Sequence, residues 1–145
     1  VSAVTVSVQA DGARSVLARA DATALVRAVL RGERVRTALL SITYLSRRRM
    51  AALNRRHLGH AGATDVIAFG FRDAQGATIG DVYICPEVAR EHAHAFGCPV
   101  REELARLVIH GTLHVVGYDH PAGEARVRSP MWRRQEHLLR RWRAA

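Results

Sequence analysis

Several features that would place a chain in a class at once are missing from this sequence. It has two cysteines, Cys85 and Cys98, too few for a disulfide framework and not arranged as CxxC. They read as reduced thiols in a cytoplasm and not as metal ligands. Arg, His or Gly breaks every apolar stretch before the roughly 18 residues that a bilayer span needs. The opening VSAVTVSVQ lacks the charged-then-apolar layout of a signal peptide. A soluble, cytoplasmic protein with no membrane partner is the expectation. There is no internal repeat and no low-complexity segment. Acidic residues are also few, 13 Asp+Glu against 22 Lys+Arg for a formal charge of +9, with arginine supplying the positive side. A field of that sign favours polyanions, nucleic acid above all, and the planar guanidinium suits phosphate oxygens.

What is present suits one domain over residues 1–145, because 145 residues at 48% hydrophobic can bury a core. Val4 to Val8 alternates at period two and predicts a strand. Leu25, Val26, Val29 and Leu30 predict a helix over Asp21–Arg31, and LLSITYL a strand over Ala38–Leu45. Ser46 is positioned to cap an arginine-rich helix, SRRRMAALNRRH, that stops near Gly59. Strands follow at Asp65–Phe71 and Thr78–Cys85 around a turn, then a helix from Pro86 to Phe96. Pro99 suits the first position of a helix reaching about Val116, with Glu102 and Glu103 complementing its N-terminal dipole. A last helix, Ser129–Trp142, turns Met131, Leu138, Leu139 and Trp142 inward. The order implies an α/β fold, a mixed sheet of about four strands covered by helices.

Three histidines fall in HGTLHVVGYDH. His110 and His114, four apart, lie one above the other on a helix whose last two turns are apolar on both faces, so their rings can converge. Gly117 permits the left-handed turn that brings His120 back beside them. Three imidazoles about one point leave a fourth position open, the arrangement of a catalytic zinc. The spacing matches the metzincin protease signature HExxHxxGxxH, but Gly111 stands where those proteases keep their general base, which marks the peptidase reading down. His92 and His94, two apart, lie on opposite sides of their helix and do not read as a metal pair, and His57 and His60, in or beside the loop after the arginine-rich helix, read as surface residues near the mouth of the cleft.

The same stretch resembles the signature HGxLHLxGYDH of the YbeY-type endoribonucleases, the rRNA maturation factors. Leu53-Asn54, Thr64-Asp65-Val66-Ile67-Ala68-Phe69 and Gly80-Asp81-Val82-Tyr83-Ile84-Cys85 resemble that family's LN, TDVLSF and GDIxIC. The resemblance implies an α/β sandwich with a basic cleft, in which His110, His114 and His120 hold one metal ion. Zinc is the expected ion, and nickel or another divalent metal is an alternative. It implies cleavage of single-stranded RNA during maturation of rRNA, at the 3′ end of the small-subunit molecule, and in ribosome quality control. The small ribosomal subunit and its assembly factors are the implied partners, with no DNA specificity. The family's RNA-binding arginine is matched here by Leu58. Arg55, Arg56 and Arg49 are the candidate replacements.

For the chemistry, the base is left among metal-bound hydroxide, Asp119 and Asp81. Asp119, beside His120, is read as accepting an imidazole N–H and fixing its tautomer. Asp65 is read as a cap or turn residue and Tyr118 as packing. Two other classes remain open: a non-catalytic RNA- or ribosome-binding factor with a structural metal, and a metal-dependent hydrolase of a small substrate.

Overall fold

The first strand extends beyond the alternating stretch that predicts it. Strand β1 spans Ala3–Asp11, with Val4, Val6 and Val8 turned to the core and Thr5, Ser7 and Gln9 turned away. The structure, a computed structural model, describes residues 3–120 and 123–145, so the first two residues of VSAVTVSVQ lie outside it. Helix α1 (Arg19–Gly32) buries Ala22, Leu25, Val26, Val29 and Leu30. Strand β2 (Thr37–Leu45) runs parallel to β1. In α2 (Arg47–Leu58) the Ser46 hydroxyl accepts the Arg49 N–H at 3.3 Å, and Gly59, at φ 68°, ends the helix.

Strands β3 (Val66–Arg72) and β4 (Thr78–Ile84) form an antiparallel hairpin. The Asp73 carboxylate ties its turn by accepting the N–H groups of Gln75 and Ala77 at 3.0 and 2.9 Å. Because β4 also pairs in parallel with β2, the sheet order is β1-β2-β4-β3, the four-stranded mixed sheet expected. Helices α3 (Pro86–Phe96), α4 (Val100–Val115) and α5 (Pro130–Ala144) follow, with a 3-10 turn over Gly123–Arg128 that the sequence did not suggest. Pro99 lies one position outside the place expected for it: its ψ of 143° is extended, which makes it the N-cap of α4 and Val100 the first helical residue. No helix among the described residues is long and apolar enough to cross a membrane.

Helix α4 is the centre of the molecule. It packs on α1, α3 and α5 and on β3 and β4, and Leu104, Ala105, Val108, Ile109 and Leu113 have no exposed surface. Leu40 and Ile42 of β2 and Val82 of β4 join the same core. A smaller cluster, Leu45, Met50, Ile67, Cys85 and Val88, holds α2 and α3 to the other side of the sheet's end. Helix and sheet approach closely at three glycines, Gly70, Gly80 and Gly111. A Cβ on Gly111 would lie 2.4 Å from Val82 Cγ1, and one on Gly80 would lie 2.4 Å from Val115 Cγ1. Gly111 therefore points into the sheet. A glutamate there, as in a metalloprotease, would enter the core.

Gly111→Ala should destabilise the protein despite the ~1 kcal/mol that alanine adds to a helix, because overpacking a filled core costs about 1–3 kcal/mol and the valine methyl stands on a strand that cannot swing away. Urea unfolding checks this. A midpoint equal to or above that of wild type would mean that the helix–sheet distance is relaxed.

Candidate metal centre and cleft

His110 and His114 sit one helical turn apart near the end of α4, with ring centroids 4.7 Å apart. The helix stops just after them. The Tyr118 N–H bonds the Leu113 carbonyl at 2.9 Å and the Gly117 N–H bonds the His114 carbonyl at 3.0 Å, while Gly117 takes φ 111°. This turn reverses the chain and sets the His120 ring 5.2 Å from His110 and 5.1 Å from His114. Each ring offers a nitrogen within 4.8 Å of the others, so the three could hold one metal ion.

Two of the three rings are held in the right state for that. Burial, reinforced by the neighbouring His114 and His120, pushes the His110 pKa down to about 4, against the smaller opposing effect of its hydrogen bond to Gln135. His114 is lowered as well, by burial first and by His120 second. Neutral imidazoles carry the lone pair that a metal needs. The Nδ1 of His110 meets Gln135 Oε1 at 2.6 Å, which leaves Nε2 of that ring to face an ion.

The histidines open into a cleft of about 520 Å³, shared with Asn54, Leu58 and His60 of α2 and its following loop, Asp65 and the start of β3, and Arg126. Asn54 is buried and its amide donates to the Gly62 carbonyl at 3.0 Å, pinning the loop that forms one wall. Asp65 stands between this cleft and α3: its carboxylate pairs with His92 Nδ1 at 3.3 Å and its charge reaches His110. A second group, Asp65, His92 and Glu103, also converges, but Glu103 is already held by Arg106 at 2.6 Å.

The family profile described as Endoribonuclease YbeY matches residues 8–143. The chain belongs to the endoribonuclease YbeY family. Curated relatives named Endoribonuclease YbeY include that of Frankia alni, 38% identical over an alignment of 136 positions that covers 85% of this chain and 74% of the relative. That of Chlorobaculum tepidum is 34% identical over 82% of this chain and 85% of its own. Among solved structures, the solution structure of TM1509 from Thermotoga maritima matches with a TM-score of 0.66 at 25% identity, covering 97% of this chain and 93% of the other.

Other expectations need correction within this YbeY fold. Asp81 is not beside the histidines. Gly80 and Val82 face α4, so strand parity turns Asp81 to the opposite face of the sheet, where the Ser41 hydroxyl donates to it at 2.6 Å. Asp119 is exposed, and its carboxylate accepts the backbone N–H of His120 at 3.1 Å. On His110 the ring N–H meets Gln135, which has no periodic or motif signal in the sequence, and His114 hydrogen-bonds the backbone of Tyr118. Arg49 is ion-paired with Asp11 at the end of β1. Arg55 and Arg56 are exposed on the last turn of α2 but do not line the cleft, whereas Leu58 does. Arg126, which the sequence reading passed over among its neighbouring arginines, is the arginine that lines it.

The buried imidazoles make stability pH-dependent in the metal-free protein. An unfolded His110 takes up a proton near pH 6.5, the folded one only near 4. Stability from this source is therefore complete above about pH 6.5, falls as the pH drops toward 4, and levels below. In chelator, the thermal midpoint should decline across that window, and His110→Gln should remove part of the decline. Equal slopes in the two proteins would count against a buried neutral ring.

Proposed function

We propose that this chain is a zinc-dependent endoribonuclease that cuts single-stranded RNA in the cytoplasm. Its role would be maturation of the 3′ end of small-subunit rRNA and ribosome quality control, in contact with the small subunit and its assembly factors. The observation that carries this is the convergence of three histidines, two of them held neutral by burial, on a cleft in a chain of charge +9 whose family is named for endoribonuclease activity. A volume of about 520 Å³ is in the range that encloses a small ligand, enough for unpaired nucleotides and too narrow for a duplex.

His110, His114 and His120 are the ligands in this reading. An all-nitrogen set of three fits zinc with a position left for substrate, and it also admits nickel. Zinc, when bound, supplies Lewis acidity toward a phosphoryl oxygen and acidifies water at neutral pH. The remaining work falls to the chain. Asp65 is the carboxylate of the cleft and is the proposed proton acceptor, in place of Asp81. Arg126 holds a phosphate next to the scissile one, and Arg55 and Arg56 at the rim add the field that draws RNA in. Leu58, in the cleft where the family is expected to place an arginine, favours a second reading, a binding factor in which the metal is structural.

The deciding assay offers an RNA bearing the 3′ end of small-subunit rRNA to wild type, His114→Ala and Asp65→Asn, each purified alike. Wild type should cut it in a chelator-sensitive way, and His114→Ala should not. Asp65→Asn should lose about 10²-fold or more in rate with zinc affinity nearly intact. Binding in low salt without cleavage by any of the three would move the binding-factor reading ahead.

Charge placement has its own check. Arg126→Ala should weaken RNA binding and lower the slope of log affinity against log salt by about one, and Leu58→Arg should raise both. An unchanged slope in Arg126→Ala would remove Arg126 from the phosphate contacts.

A further inference from the structure

We propose that Gln135 is a positioning residue of the metal centre, and that its own orientation is dictated by a charged chain running through Glu136 to Arg106. This rests on the metal reading of the three histidines. Gln135 is 1% exposed, on the face of α5 that packs against α4. An amide at that place can present either its oxygen or its NH2 group to His110, and the two choices have opposite consequences. Oxygen toward Nδ1 makes that nitrogen the N–H donor and leaves Nε2 with the lone pair. The NH2 group toward Nδ1 would do the reverse and point a proton at the metal position.

The surroundings decide between them. Gln135 Nε2 donates to Glu136 Oε2 at 3.0 Å, so the oxygen must face His110, and it does so at 2.6 Å. Glu136 can only accept, because Arg106 grips it from both Nε, at 3.0 Å, and Nη2, at 3.3 Å. Arg106 lies four residues before His110 on the same helix flank and is fixed in turn by Glu103 at 2.6 Å and Glu102 at 3.6 Å. A carboxylate held by a guanidinium thus sets an amide, and the amide sets the tautomer of a ligand. A mere clip between α4 and α5 would need the ion pair but not the amide.

Two measurements on the full chain separate these roles. The first is zinc affinity by competition with a chromogenic chelator. Gln135→Met, of similar length but without an acceptor, should bind zinc about 10–100-fold more weakly. Glu136→Leu, which frees the amide to turn, should fall in the same direction by less. Glu136→Gln, which retains an acceptor for the amide, should stay near wild type. The second is the His110 tautomer in the metal-free protein, read by long-range 1H–15N correlation. Wild type should carry the proton on Nδ1, and Gln135→Met should shift toward a mixture. Zinc affinity within twofold of wild type in Gln135→Met, or a wild-type His110 protonated on Nε2, overturns the proposal. If wild type binds no zinc, the metal reading beneath it fails instead, a result distinct from either. Should Gln135→Met not fold, the Glu136 pair and the wild-type tautomer still decide.

Discussion

The contact between α4 and β4, glycine against valine at two places, governs the geometry of everything functional in this chain. Gly111 receives Val82 and Gly80 receives Val115, so the helix lies lower on the sheet than side chains larger than hydrogen would allow. That depth buries the His110 ring and keeps it neutral, and His110 and His114 share the cleft with Asp65 and the start of β3. A shallower helix would expose the histidines to water and restore their ordinary proton affinity. Packing and ligand chemistry are here one constraint.

What the sequence revealed divides by range. Elements whose signal is local were readable: the alternation in β1, the capping Ser46, the helix stop at Gly59, the left-handed Gly117, and the spacing of His110, His114 and His120. Each depends on neighbours within a turn or two. Asp81 was placed wrongly although the means to place it were present, since a strand with Gly80 and Val82 inward must turn Asp81 outward. Gln135 and Asp65 were beyond such reasoning. Gln135 meets His110 across 25 positions, and Asp65 reaches the cleft only because tertiary packing brings the start of β3 beside the histidines. Neither pairing leaves a period or a motif in the chain.

The arginines likewise divide once the structure is known. Several are engaged by acidic groups: Arg47 by Glu87 and Glu91, Arg49 by Asp11, Arg101 by Asp21, Arg134 by Glu33 and Arg143 by Glu102. Exposed pairs of this kind add little stability, but they neutralise field locally. The surplus of positive charge is left elsewhere, including Arg55, Arg56 and Arg126 near the cleft. A total of +9 gives the sign of the field, and the pairing pattern shows where along the chain that field is locally cancelled.

The position of α4 in the chain also orders its birth. The helix that covers the sheet is made after all four strands, so a nascent chain that has completed β4 holds Leu40, Ile42 and Val82 without the surface that will bury them. Until residues 100–115 leave the ribosome, the sheet is a half-built layer with an apolar face, the kind of intermediate that chaperones shield. Helix α5, made after α4, closes over it, so the buried centre of this molecule is sealed only once both helices have been made.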